Sequence, residues 1–196
     1  MLEIINTPHP ALRHVSQPLR RVDKKLKQIV REMFDLMYEH RGVGLAANQV
    51  NLPFRLFVIN ETGTADEGEE MVLVNPVLRS PRGRAEDEEG CLSIPGVYGN
   101  VLRPAQVRLE AWDLAGNRID QVVSGRLARI IQHEFDHLQG VLFPDRMSES
   151  ARKAIAEDLD AFDREFRRLQ EHDERLQAES VARRLAELEA EYCATG

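Results

Sequence analysis

The sequence predicts an α+β protein carrying a long helical extension at its C-terminus. Three observations lead there. Apolar residues at helical spacing mark about residues 23–40 and 124–140, and strand candidates rich in branched and aromatic residues lie between them. A stretch near residue 130, "RIIQHEFDHLQG", places His133 and His137 four apart on one helical face. From Ser148 to Thr195 there is no glycine or proline, and apolar residues recur at threes and fours.

Taken in order, residues 1–22 read as extended and irregular, punctuated by Pro8, Pro10 and Pro18. Asp23 is an N-cap candidate for a helix to about His40, with Leu26, Ile29, Val30, Met33, Phe34 and Met37 on its apolar face. Gly42 ends that helix and opens "GVGLAANQV". "FRLFVIN" (54–60) and "MVLVNPVL" (71–78) are strand candidates, joined by the acidic, solvated "ETGTADEGEE". Strands are also expected near 105–113 and 117–123, turning at Ala115, Gly116 and Asn117. Helical spacing returns at Ser124 and stops at Gly140. Beyond Pro144 the pattern predicts one long helix, or two broken between Leu176 and Val181, with Ser180 as the second cap.

The composition fits one folded domain with an appendage: 196 residues, 42% hydrophobic and 30% charged. A net charge of −7 argues against a general nucleic-acid binder. No signal peptide and no membrane span are apparent, and Cys91 and Cys193 sit in neighbourhoods too different to suggest a disulfide. The expectation is a cytoplasmic protein with no membrane partner.

In "HEFDH" the two imidazoles are close enough to share a metal ion. Glu134 is turned about 100° from His133, so it reaches a bound water instead of the ion. The competing reading is a helix holding two histidines by chance. The third ligand decides the class. A zinc protease of the common type offers a histidine or glutamate downstream, but the only later histidine is His172, far along the polar tail. Upstream, Cys91 stands in "EDEEGCLSIPG". A lone cysteine is ordinarily a small core residue. Beside the histidine helix, a thiolate ligand is the better reading.

"GVGLAANQ" (42–49), "EGCLS" (89–93) and "QHEFDHLQG" (132–140) together resemble the three signature motifs of the peptide deformylases, and the resemblance covers roughly residues 1–147. It implies small antiparallel sheets around a central metal-binding helix, and a hydrolase that removes the formyl group from the initiator methionine of nascent polypeptides. Cys91, His133 and His137 would then ligate one divalent ion, with ferrous iron the working metal and zinc, nickel or cobalt able to replace it. Metal-bound water would attack the formyl carbon. Glu134 would act as general acid and base, and the Leu92 N–H and the Gln49 amide would donate to the oxyanion. Val43 and Ile130 would wall the methionine pocket, with Gly44 and Gly90 letting the peptide approach the backbone. Glu89 and Arg103 are candidates for a supporting ion pair. Arg126, Arg129 and Tyr98 are candidates for the cleft edge or the surface.

Residues 1–147 are thus read as the catalytic domain and 148–196 as the extension. The extension holds 8 Lys/Arg against 13 Asp/Glu between Ser148 and Tyr192. That favours packing on the domain or self-association, with ribosome docking as a further possibility. Two other functions compete. A zinc endopeptidase shares the helix motif, and a non-catalytic metal-bound module would not need Glu134.

Overall fold

The computed structural model describes residues 2–193. Helix α1 (Lys24–Glu39) begins as expected: the Asp23 carboxylate accepts the Leu26 N–H at 2.8 Å. It buries Leu26, Val30, Met33, Phe34 and Met37. One antiparallel sheet has the order β1-β2-β3-β6-β7, from β1 (Gly44–Ala46), β2 (Leu56–Ile59), β3 (Met71–Arg82), β6 (Gln106–Trp112) and β7 (Arg118–Ser124). A separate hairpin pairs β4 (Ala85–Cys91) with β5 (Ile94–Arg103). Helix α2 (Gly125–His137) lies on the other face of the large sheet from α1.

The two-residue period of the strands separates two cores. All four residues of β2 are buried. Leu56 and Val58 join the cluster containing the α1 side chains, whereas Phe57 and Ile59 join Ala128, Ile130 and Ile131 of α2. A strand covered on both sides reads as a continuous apolar run, which is why "FRLFVIN" stood out in the sequence. The β4–β5 hairpin did not stand out. Ala85 to Glu88 are all exposed, and β5 carries Pro95, Gly96 and Gly99, so no alternation marks either strand. Pairing and the burial of Ile94, Val97 and Val101 hold it instead.

Past α3 (Phe143–Arg146), the expected one or two helices are three: α4 (Glu149–Ala154), α5 (Ala156–Gln170) and α6 (Ala178–Tyr192). Ser148 caps α4, accepting the Ala151 N–H. The residue before α6 is Gln177, not Ser180, because the turn Glu174–Leu176 brings the chain round three residues early. Ile155, Leu159 and Phe162 complete the cluster of Leu12, Ile94, Val97 and Phe143 beneath the hairpin. Val181 and Leu185 pack on Ala11, and the Tyr192 ring lies 5.1 Å from that of Phe54. The last of the expected extension, residues 194–196, lies outside the described residues.

Candidate metal centre

Each motif delivers its side chains from a different element. Cys91 ends β4, at the register shift between Gly90 and Cys91 where the pairing with β5 breaks. His133 and His137 come from α2, one turn apart. One donor atom from each of the three residues lies within 4.8 Å of the others, and Cys91 Sγ is 3.3 Å from His137 Nε2. A thiolate and two imidazoles on a converging set suit ferrous iron, zinc, nickel or cobalt. Burial holds the His137 ring neutral, the form a ligand requires.

The second layer fixes the first. His133 Nδ1 lies 2.9 Å from Glu89 Oε2, which leaves Nε2 to face the centre. Burial alone would raise the pKa of Glu89, but its bonds to Arg103 and His133 hold it well below the usual carboxylate range. Arg103 donates to Glu89 at 2.6 and 2.9 Å and to Asp136 at 2.7 Å. Arg129 adds a bond to Glu89 at 2.7 Å, and Arg146 closes on Asp136 at 2.6 Å. The Glu89–Arg103 pair is therefore present, with both partners only about 5% exposed. Arg129 is neither free on the surface nor idle at the cleft edge, since it also donates to the carbonyls of Ala85 and Val101. Asp136 lies inside "HEFDH" yet was not singled out from the sequence. Its position three residues after His133, flanking the ligand face of the helix, was the available signal.

Glu134 is buried, and its Oε2 has no hydrogen-bond partner within the protein. Burial pushes its carboxyl up to about 7, opposed by the charges of His133 and Arg103. Gly44 of β1 crosses directly over it. A Cβ there would stand 2.4 Å from Glu134 Oε1, so the motif glycine makes room for the carboxylate.

Gln49 sits in the turn Ala47–Val50, where its Oε1 accepts the Ala46 N–H at 2.8 Å. That leaves Nε2 as donor, 3.2 Å from Ser93 Oγ and 3.4 Å from Cys91 Sγ. Ser93, too, was not foreseen. Val43, Gly44, Gln49, Gly90, Cys91, Leu92, Ile130, His133 and Glu134 all line one cavity of about 840 Å³. Arg126, Arg129 and Tyr98 line it as well, and Tyr98 is 59% exposed at its rim. His137 is not part of that lining; it closes the site from behind, 1% exposed.

The polypeptide deformylase family profile matches residues 1–153. The chain is 50% identical over 191 residues to the peptide deformylase of Rhodopirellula baltica, covering 97% of this chain and 95% of that protein. It is 44% identical over 166 residues to the chloroplastic peptide deformylase 1B of Oryza sativa, covering 84% of this chain and 62% of that one. Among solved structures, Arabidopsis thaliana peptide deformylase 1B in complex with an inhibitor superposes with a TM-score of 0.81 at 43% identity. That match covers 84% of this chain and 92% of the other.

Proposed function

The chain belongs to the polypeptide deformylase family, and from that premise we propose how its own residues carry out the reaction. The activity is peptide deformylase, and the substrates are formylated nascent peptides. Cys91, His133 and His137 form the metal site. A divalent ion held there supplies Lewis acidity and a water acidic enough to be the nucleophile near neutral pH. The proposed ion is ferrous iron, with zinc, nickel or cobalt as substitutes.

Glu134 takes the proton of the attacking water and returns it to the leaving amine as the formyl C–N bond breaks, giving formate and a free N-terminus. Gln49 Nε2 and the Leu92 N–H donate to the oxygen that gains negative charge. Val43 and Ile130 hold the methionine side chain, and the backbones at Gly44 and Gly90 take the peptide. The buried carboxyl of Glu134, which lines the cavity and keeps one oxygen without a partner in the protein, is the observation that carries this reading.

The finer placement is also proposed: residues 1–147 as catalytic domain, 148–196 as extension, and the cytoplasm as compartment. No helix among the described residues is long and apolar enough to cross a membrane. The acidic balance of the extension speaks against ribosomal RNA as its partner, and its apolar stripe serves packing on the domain or pairing with a second copy. Mass spectrometry of a formyl-Met-Ala-Ser peptide, incubated with protein loaded anaerobically with iron, tests the reaction. The expected product lacks only the formyl group. An internally cut peptide would return the assignment to an endopeptidase.

A further inference from the structure

We infer that Asn48 is a positioning residue of the metal centre, its side-chain carbonyl orienting the imidazole of His137; the inference rests on the Cys91–His133–His137 site described above. The two histidines are supported unequally. His133 has Glu89 against its Nδ1, whereas Nδ1 of His137 is buried with no hydrogen-bond partner in the protein. An imidazole that ligates through Nε2, the atom His137 turns toward Cys91, carries its proton on Nδ1. A buried N–H left without an acceptor is destabilising.

Asn48 offers that acceptor. It precedes Gln49 in the turn Ala47–Val50 and is 1% exposed. Its Nδ2 donates to the main-chain oxygen of His137, and its Oδ1 is buried and unpartnered. Two residues already joined by one hydrogen bond therefore hold a complementary donor and acceptor, both buried and both unused. Among the described residues, seven buried side-chain atoms lack partners, and three belong to Asn48, Glu134 and His137. The Glu134 oxygen is accounted for by its proposed role in the reaction. The other two are joined through one bridging water, by which the Asn48 carbonyl sets the plane of the ring.

The arrangement also links the first and third motifs. Gln49, the proposed oxyanion donor, and Asn48 are adjacent, so the turn that aims the amide also braces the far end of the metal helix. His133 answers to an ionised carboxylate, while His137 answers to a neutral amide.

Cobalt(II) affinity, measured by chelator competition on the full chain, tests this alongside the melting temperature of the metal-free protein. Asn48→Ala is expected to bind cobalt about 10–100-fold more weakly. Asn48→Asp keeps an oxygen acceptor but cannot donate to the His137 carbonyl; it is expected to stay within about threefold of the parent while melting lower when metal-free. Equal losses in the two variants would reduce Asn48 to a prop for the chain and overturn the inference. So would unchanged affinity in Asn48→Ala. If Asn48→Ala does not fold, the near-isosteric Asn48→Leu takes its place under the same expectations. Cys91→Ala serves as control, because cobalt bound there as tightly as in the parent would sink the metal site itself and not the role of Asn48 alone.

Discussion

At the scale of single residues, the proposed chemistry divides between groups that hold the metal and one that handles protons. Replacing Glu134 with alanine removes the proposed proton carrier and leaves the three ligands in place. Metal content by elemental analysis should stay at the parent level while turnover falls by about 10²–10⁴-fold or more. Cys91→Ala should lose metal and activity together. A metallated, active Glu134→Ala protein would refute the proposed role. Glu89 works through pH. Its folded pKa is depressed below the ordinary 4.5, so its contribution to stability is present above about pH 4.5 and is lost as pH falls below that. Glu89→Gln should cost about 3 kcal/mol at neutral pH, since it weakens a buried pair and leaves Arg103 with Asp136 alone. In denaturant melts the gap between parent and variant should narrow as the solution is acidified below pH 4.5. A gap independent of pH would exclude the ionised carboxylate as its source.

At the scale of elements, the site depends on close approach between β1 and α2. Gly44→Ala places a methyl group against the Glu134 carboxylate, so that this buried side chain must shift from its place. The expected outcome is a folded protein with kcat/KM down by at least about tenfold and nearly unchanged metal content. Gly140 plays a different part. Its φ of +69° and the Arg13 carbonyl only 2.4 Å from a would-be Cβ let the N-terminal segment cross the end of α2. The helix is thereby held at its C-terminal end. Gln132 ties its middle to the Pro104 carbonyl, and Asn48 ties its last turn to the motif that carries Gln49.

At the scale of the whole molecule, the extension is packed into the body at several points. Ile155 lies in the cluster beneath the Cys91 hairpin, Val181 and Leu185 cover Ala11, and His14 bonds Glu189 at 2.6 Å. Tyr192, fully buried against Phe54, anchors the far end. Tyr192→Ala should cost about 3–5 kcal/mol in a denaturant melt. A loss below about 1 kcal/mol would mean that the end of α6 is only loosely attached. His9 adds an acid limb to this packing. It sits 5.8 Å from the Phe166 ring of α5, and burial together with the Arg184 charge lowers its pKa to about 4. The unfolded chain therefore takes up this proton first as pH falls from 6.5 toward 4, and stability declines over that interval.

How much of this was legible in the chain depends on whether the signal is local. The stripe of α1, the buried run of β2 and the four-residue spacing of His133 and His137 are local consequences of helical and strand periods, so the sequence alone determined them. Together with the family resemblance it pointed to the ligand set as well, a thiolate in one motif and two imidazoles in another. It could not reveal the β4–β5 hairpin, whose exposed acidic strand has no alternation, or the break at Ile155 and the early start of α6. Those follow from where the helices meet the body. Nor could it show that Arg129 and Asp136 face inward to Glu89 and Arg103, or that Asn48 reaches the end of α2. Each of these contacts joins residues between about 30 and 90 positions apart. Only tertiary structure decides them, because a buried charge or amide takes its partner from whatever the packing of distant elements brings within reach.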